Sequence, residues 1–388
     1  MNFEVEEVEY NPKNNKENIS KKYGKTVKRK KKKSSNKRKT LILVSTILFI
    51  FLATSITMYF YLNSNTQTPV VKIPEEKPKT KELTIFDENS NDRPIAVMID
   101  NNVGNNNHIG LQDSYLNYEI IVEGGLTRIM AIFKDKNVST IGPVRSSRHY
   151  FLDYALENDA IYTHYGWSTY AQSDISALKI NNINGLTDET PFWRDKTIQA
   201  PHNVFTSLNK IKSSASEKNY KLTTNNWKNF NYNPKEINLN EKFESTSSQE
   251  NESETKSYVL RANNISMNYS NSQIRSYQYD STNKYYLRFM NGVSHNDKET
   301  GETLHYKNII IEKVYNHSID SYGRQDLTTT GTGEGYFVTD GYAVPINWTK
   351  SSRSAKTKYT YKNGEEIELN DGNTFIQIIP TSSDIIIE

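Results

Sequence analysis

Twenty-two uncharged residues, Leu41–Leu62 (LILVSTILFIFLATSITMYFYL), follow directly on a basic stretch, Lys28–Lys39 (KRKKKKSSNKRK). About 20 apolar residues suffice to cross roughly 30 Å of hydrocarbon as a helix. A helix pairs its own backbone groups, which lipid cannot do, and short Lys/Arg-rich flanks stay on the cytoplasmic side. The sequence therefore predicts a basic cytoplasmic tail at 1–40, a transmembrane helix at 41–62 and extracytoplasmic residues 63–388, that is, a single-pass protein of the cell membrane. A cleaved signal peptide has a shorter apolar core, of about 7–15 residues, and a small-residue cleavage site, neither of which is present. A signal anchor is the better reading.

The net charge of +3 hides two halves of opposite sign. Residues 1–40 hold 14 Lys/Arg against 5 Glu, or +9; the remainder holds 48 − 14 = 34 Lys/Arg against 45 − 5 = 40 Asp/Glu, or −6. The tail is explained by an anionic inner leaflet, where each cation gains about 1 kcal/mol, so the expected partner of the tail and of Leu41–Leu62 is the lipid bilayer. The acidic remainder argues against nucleic acid or a polyanionic polymer as main ligand. The absence of cysteine excludes a disulfide framework, a Cys-held metal, a thiol nucleophile and a lipid-modified Cys.

Residues 63–84 are polar and Pro-containing and read as a stalk. Residues 238–256, with ESTSSQENESETK, read as a linker. Two domains are thus expected, at 85–237 and 257–388. The first mixes buried-strand runs (Pro94–Ile99, Tyr118–Val122, Ile129–Phe133, Ala160–His164) with a helix predicted over Ser146–Asn158, giving an α/β domain. A hairpin is expected across Glu123-Gly124-Gly125. The second is predominantly antiparallel β: Lys256–Leu260, Ile274–Tyr279, Tyr285–Met290, Ile309–Val314, Gly335–Thr339, Tyr342–Asn347, Lys358–Tyr361 and Thr374–Pro380. Hairpin turns are predicted at Asp340-Gly341, Asn363-Gly364 and Asp371-Gly372. The Gly331-Thr-Gly-Glu-Gly335 run lacks a following helix or Lys-Ser/Thr, so it reads as a β-bulge or tight hairpin rather than a nucleotide loop.

Six ordered motifs in the first segment resemble one known family: Arg93–Asn101 (RPIAVMIDN), Glu123–Arg128 (EGGLTR), Ile141–Arg148 (IGPVRSSR), Asp159–Gly166 (DAIYTHYG), Phe192–Lys196 (FWRDK) and Ala200–Asn203 (APHN). The second segment adds Gly323–Asp326 (GRQD), Gly331–Tyr336 (GTGEGY), Asp340-Gly341 and Ile346–Trp348 (INW). These resemble the N-terminal and C-terminal domains of the YerB-like bacterial envelope proteins, the DUF3048 family, whose function is unknown. The resemblance implies an extracytoplasmic, membrane-tethered position. Members often carry a lipid-anchored cysteine, and this chain has a helix instead.

Polar residues gather where the strands of the first domain should end: Asp100, Glu123, Thr127, Arg128, Arg145, Arg148, His164, Arg194, Asp195 and His202. Loops above a rigid sheet commonly carry function. Arg145 and Arg148, if helical, form a fork for carboxylate or phosphate. Glu123 with Asp195 or Asp100 has the residue types for acid/base cleavage of a glycan, and His164 or His202 for proton transfer. Structural ion pairing, turn stabilisation and core packing are the plain alternatives. No metal and no cofactor is expected, there being no HExxH or similar spacing. Ser207-Leu-Asn-Lys210 and Ser281-Thr-Asn-Lys284 match SxxK by chance, as no KTG occurs. Two functional readings follow: a non-catalytic envelope module binding peptidoglycan or an envelope protein through Asp100, Arg128, Arg145, Arg148, Arg194 and Asn203, or a wall-glycan hydrolase or lyase using Glu123, Asp195, His164 or His202.

Overall fold

A computed structural model describes residues 36–64, 82–102, 108–247 and 258–388. It contains two compact units, 1–79 and 80–388. In the first, helix α1 (Asn36–Ser64) contains the whole apolar run. The hydroxyls of Thr46, Thr54, Ser55 and Thr57 donate to carbonyls three or four residues back, so they need no water. The rest of the predicted tail (residues 1–35) and most of the stalk (65–81) lie outside the described residues.

The second unit is built on an eleven-stranded mixed sheet. The N-terminal half supplies β1 (Ile95–Asp100), β2 (Leu116–Ile121), β3 (Thr127–Phe133), β4 (Ile161–His164) and β5 (Asn182–Asn184), in the order β2-β3-β1-β4-β5. β2 continues, in parallel register, into the strand Thr374–Pro380, with Leu116 opposite Thr374 and Ile120 opposite Ile378. That strand pairs in parallel with Asn308–Val314, followed by Gly331–Thr339, Tyr342–Lys350 and Lys358–Tyr361. The central strands read IAVMID, LNYEII and TFIQIIP and are buried along their whole length, as expected of strands covered on both faces.

Successive side chains of β2 point to opposite faces. Tyr118 meets helix α2 (Phe151–Glu157), its hydroxyl donating to Glu157 at 2.7 Å. Glu119 meets a six-stranded antiparallel sheet made chiefly of Asn264–Ser270, Gln273–Asp280 and Tyr285–Met290. Helices α3 (Thr169–Ala177) and α4 (Leu208–Glu217) begin with Ser168 and Ser207, whose hydroxyls accept from the N–H three residues on. One contiguous apolar core runs through both halves. Its entry is closed by Phe86, packed edge-on against Tyr115, Trp227 and Tyr232, while the Asp371 carboxylate accepts from the Thr84 and Ile85 N–H groups.

Several expectations are corrected. The segments 85–237 and 257–388 are not separate packing bodies, because β2 and Thr374–Pro380 are neighbours in one sheet. The expected linker holds a helix, α5 (Leu239–Ser247), with 248–256 outside the described residues. The helix expected over Ser146–Asn158 is confined to Phe151–Glu157, since Ser147 is drawn into a bridge with Trp167. Asp371-Gly372 is no hairpin: Glu368–Asn370, before it, pairs with Asn231–Asn233 rather than with Thr374–Pro380. Gly331–Gly335 is regular strand, paired without slippage to Ile346–Lys350. Glycine is needed there for close approach, as a Cβ on Gly335 would stand 1.9 Å from the Ile311 carbonyl oxygen.

Candidate functional site

β1, β4 and β5 are mutually parallel, so Asp100, His164 and Asn184 end the three strands on the same side of the sheet. Ligand sites in open α/β sheets gather at such carboxyl ends. A strap, Val144–Arg148, spans the gap between β1 and β4. The Arg145 N–H donates to the Met98 carbonyl (2.9 Å) and the Ser147 N–H to the Gly166 carbonyl (2.9 Å), while the Arg145 carbonyl accepts from Tyr165 (3.0 Å). The strap is extended, so Arg145 and Arg148 reach the site from a sheet-like segment and not from one face of a helix.

Asp100 lies opposite Arg128 on β3. Arg145 Nε is 3.2 Å from Asp100 Oδ2, and His202 Nδ1 bonds to that same oxygen. Burial would raise the Asp100 carboxyl, but Arg145 and the His202 hydrogen bond more than offset it and hold it low. Glu123 sits in a one-turn 3₁₀ segment, Glu123–Gly125, in which Gly124 and Gly125 take φ of 68° and 71°, a region that favours glycine. Arg148 grips Glu123 with two parallel bonds, Nε to Oε1 at 2.5 Å and Nη2 to Oε2 at 2.8 Å. Against the pull of burial, this pairing keeps the Glu123 carboxyl below its ordinary range. Glu123 is thus an ionised, clamped carboxylate, which is a poor proton donor.

Arg128 differs from its neighbours. Its Nη1 donates to the Ser146 carbonyl at 2.7 Å. Burial first, and then the charges of Arg148 and Arg145, push its guanidinium down to about 10. Three guanidiniums (Arg128, Arg145, Arg148) therefore face two carboxylates (Asp100, Glu123) at this end of the sheet.

The other predicted residues divide. Arg194 donates to the Asn203 side-chain oxygen (2.9 Å) and Asn203 to the Asp195 carbonyl (3.0 Å), so both brace the turn that presents His202. Asp195 is half-buried, and its carboxyl is held low by the Thr197 hydroxyl and N–H. His164 is buried, with Nδ1 2.8 Å from the Gly166 carbonyl and Nε2 3.2 Å from Asn182 Oδ1; burial lowers it to about 4. It is a structural histidine. Among the described residues, no group of three or more His, Cys, Asp or Glu is arranged to hold a metal ion.

Sequence reading missed the buried row behind the site. Glu119, wholly buried, accepts from Arg275 Nε and Arg288 Nη2, each at 2.6 Å, and from Asn101 and Thr127, each at 2.7 Å. Arg288 Nη1 bonds to His295 Nδ1, His295 Nε2 to His108 Nδ1 (2.9 Å), and His108 Nε2 to the Asp100 carbonyl. An arginine only donates, so each link in turn is fixed. His295 accepts on Nδ1 and donates from Nε2, and His108 does the same. Burial depresses both imidazoles, so both are neutral, as this order requires. Arg275 and Arg288 could have been noticed as charges at the inward phase of alternating strands (QIRSYQYD, YYLRFM).

Two family models match the chain: the N-terminal domain of a protein of unknown function, DUF3048, over residues 80–221, and its C-terminal domain over 265–376. This chain belongs to the DUF3048 family. It is 31% identical over 289 residues to YerB of Bacillus subtilis (strain 168), named as a candidate lipoprotein, covering 74% of this chain and 81% of YerB. It is also similar to the crystal structure of the YerB protein from Bacillus subtilis, with a TM-score of 0.63 and 29% identity over 76% of this chain and 94% of that one. In this DUF3048 protein Glu119 lies in the first matched region and Arg275, Arg288 and His295 in the second. In this chain the buried ion cluster therefore joins the two matched regions.

Proposed function

We propose that this protein is a non-catalytic binding module, held outside the cytoplasm by α1, that takes a carboxylate-bearing component of the cell envelope at the arginine cluster. The observation that carries the reading is Arg128. It is a half-buried cation, bonded to a backbone carbonyl and crowded by two further guanidiniums, where an incoming anion would relieve the imbalance. The hydrolase reading is less well supported, because Glu123 is already clamped and His164 is sealed inside.

The topology rests on the basic stretch before α1 and on the likeness to a protein named as a lipoprotein. Protease added to intact cells should degrade residues 82–388 and spare the tail; full protection of that unit would overturn the orientation. Binding is tested with the full chain in detergent micelles, sedimented with insoluble peptidoglycan. The protein should co-sediment and release no soluble fragments by mass spectrometry. Arg128→Gln should weaken retention about ten- to a hundredfold, as expected for a lost charge-assisted bond. Release of fragments by the native chain, abolished in Glu123→Gln, would establish the hydrolase instead.

A further inference from the structure

Beside the arginine cluster stands a feature that the charge argument does not use. The hairpin formed by Asn316–Ser318 and Gln325–Leu327 carries a tight turn, Asp320–Arg324. Asp320 locks this turn: its carboxylate accepts from the N–H groups of Tyr322 (3.1 Å) and Arg324 (3.0 Å) and from Arg324 Nη1 (2.6 Å). The turn abuts the Glu123 loop so closely that a Cβ on Gly323 would lie 3.8 Å from the Gly124 nitrogen. The base of the hairpin is tied to the strap's end by His149 Nε2 and Asp326 Oδ1, 2.9 Å apart.

Two tyrosine rings are held up to solvent on this rim. Tyr322 is 74% exposed, with the Arg324 guanidinium 5.0 Å from its ring. Tyr170, in the first turn of α3, is 47% exposed, its ring 5.6 Å from that of His149. His149 links the two, its ring beside that of Tyr170 and its Nε2 on Asp326 of the hairpin, while Gly323 of the same hairpin lies against Gly124 of the Glu123 loop. Exposed rings on a locked turn are preorganised surfaces, and little ordering is lost when they bind. They do not form a continuous apolar patch. Arg324, Asp326 and His149 separate them, so there is no dry centre of the sort that anchors a protein partner. The negative face of a tyrosine ring does suit the polarised C–H face of a sugar.

Building on the binding reading above, we infer that the ligand is a glycan unit bearing a carboxylate: its sugar rings stack on both Tyr322 and Tyr170 while its carboxylate meets Arg128 and Arg148. The test is calorimetric titration of the full chain in detergent micelles with three probes: a disaccharide of N-acetylglucosamine and N-acetylmuramic acid, N,N′-diacetylchitobiose, and a short acidic peptide. The carboxylated disaccharide should bind at least tenfold more tightly than chitobiose, which lacks the carboxylate. Tyr322→Ala and Tyr170→Ala should each weaken it about two- to tenfold, the range of an aromatic contact. Tyr322→Phe, which keeps the ring, should restore it, and the melting temperature should be unmoved because both rings are exposed. Binding of the acidic peptide but not the disaccharide, indifferent to the tyrosines, would overturn this inference and leave the carboxylate module standing. Failure of every carboxylated probe would overturn both.

Discussion

Buried carboxylates in this molecule meet opposite fates according to what surrounds them. Glu119 is compensated by two arginines, which outweigh burial and keep it ionised. Glu312 receives the hydroxyls of Tyr154 and Tyr359 but shares its surroundings with Glu157, while Lys350 binds Glu157 at 2.5 Å. Burial, only partly countered by those hydrogen bonds, raises Glu312 to about 7 from 4.5. The folded state thus keeps a proton that the unfolded chain releases as pH climbs through that window. Stability attributable to Glu312 falls as pH rises from about 4.5 and levels off above about 7. Glu312→Gln removes this dependence. Its melting temperature relative to the native chain should rise between pH 5 and pH 8, with a free-energy swing of up to about 3 kcal/mol at roughly 1.4 kcal/mol per pH unit. A difference that stays flat with pH would refute the assignment.

At the level of elements, what was legible is what local chemistry decides. Tyr285–Met290, Lys358–Tyr361 and Thr374–Pro380 stand where their β-branched and aromatic runs put them. The Asp340-Gly341 turn takes the two positive φ values (50° and 78°) that such a dipeptide favours. Asn291-Gly292 does the same, at 49° and 78°, and was overlooked. Illegible was whatever depends on a distant partner. The strap from Arg145 to Arg148 has helical spacing, yet its backbone is claimed by Met98 and Gly166. The parallel match of β2 with Thr374–Pro380 leaves no trace in either segment. For the site, residue types and their common location at the strand ends were readable. Roles were not, since whether Glu123 or His164 is free depends on Arg148 and Asn182, which come from other segments, the strap's end and β5.

Taken whole, the two matched halves form one compact unit around a shared sheet. Expression of 82–247 alone would uncover the long edge of β2 and strand Glu119 without Arg275 and Arg288. Removing the partners of a buried ion costs about 3–5 kcal/mol, before the lost sheet is counted. That fragment should show no cooperative thermal transition; a sharp one would mean the N-terminal half folds independently. The row from Arg288 through His295 and His108 to Asp100 bears on transport as well as stability. Every link hands hydrogen the same way, and its source is a group that does not surrender a proton in proteins. No Grotthuss hop can begin at that source, so the two imidazoles form a dead-ended file. It serves as a mechanical strut beneath the arginine cluster and cannot conduct acid between core and surface.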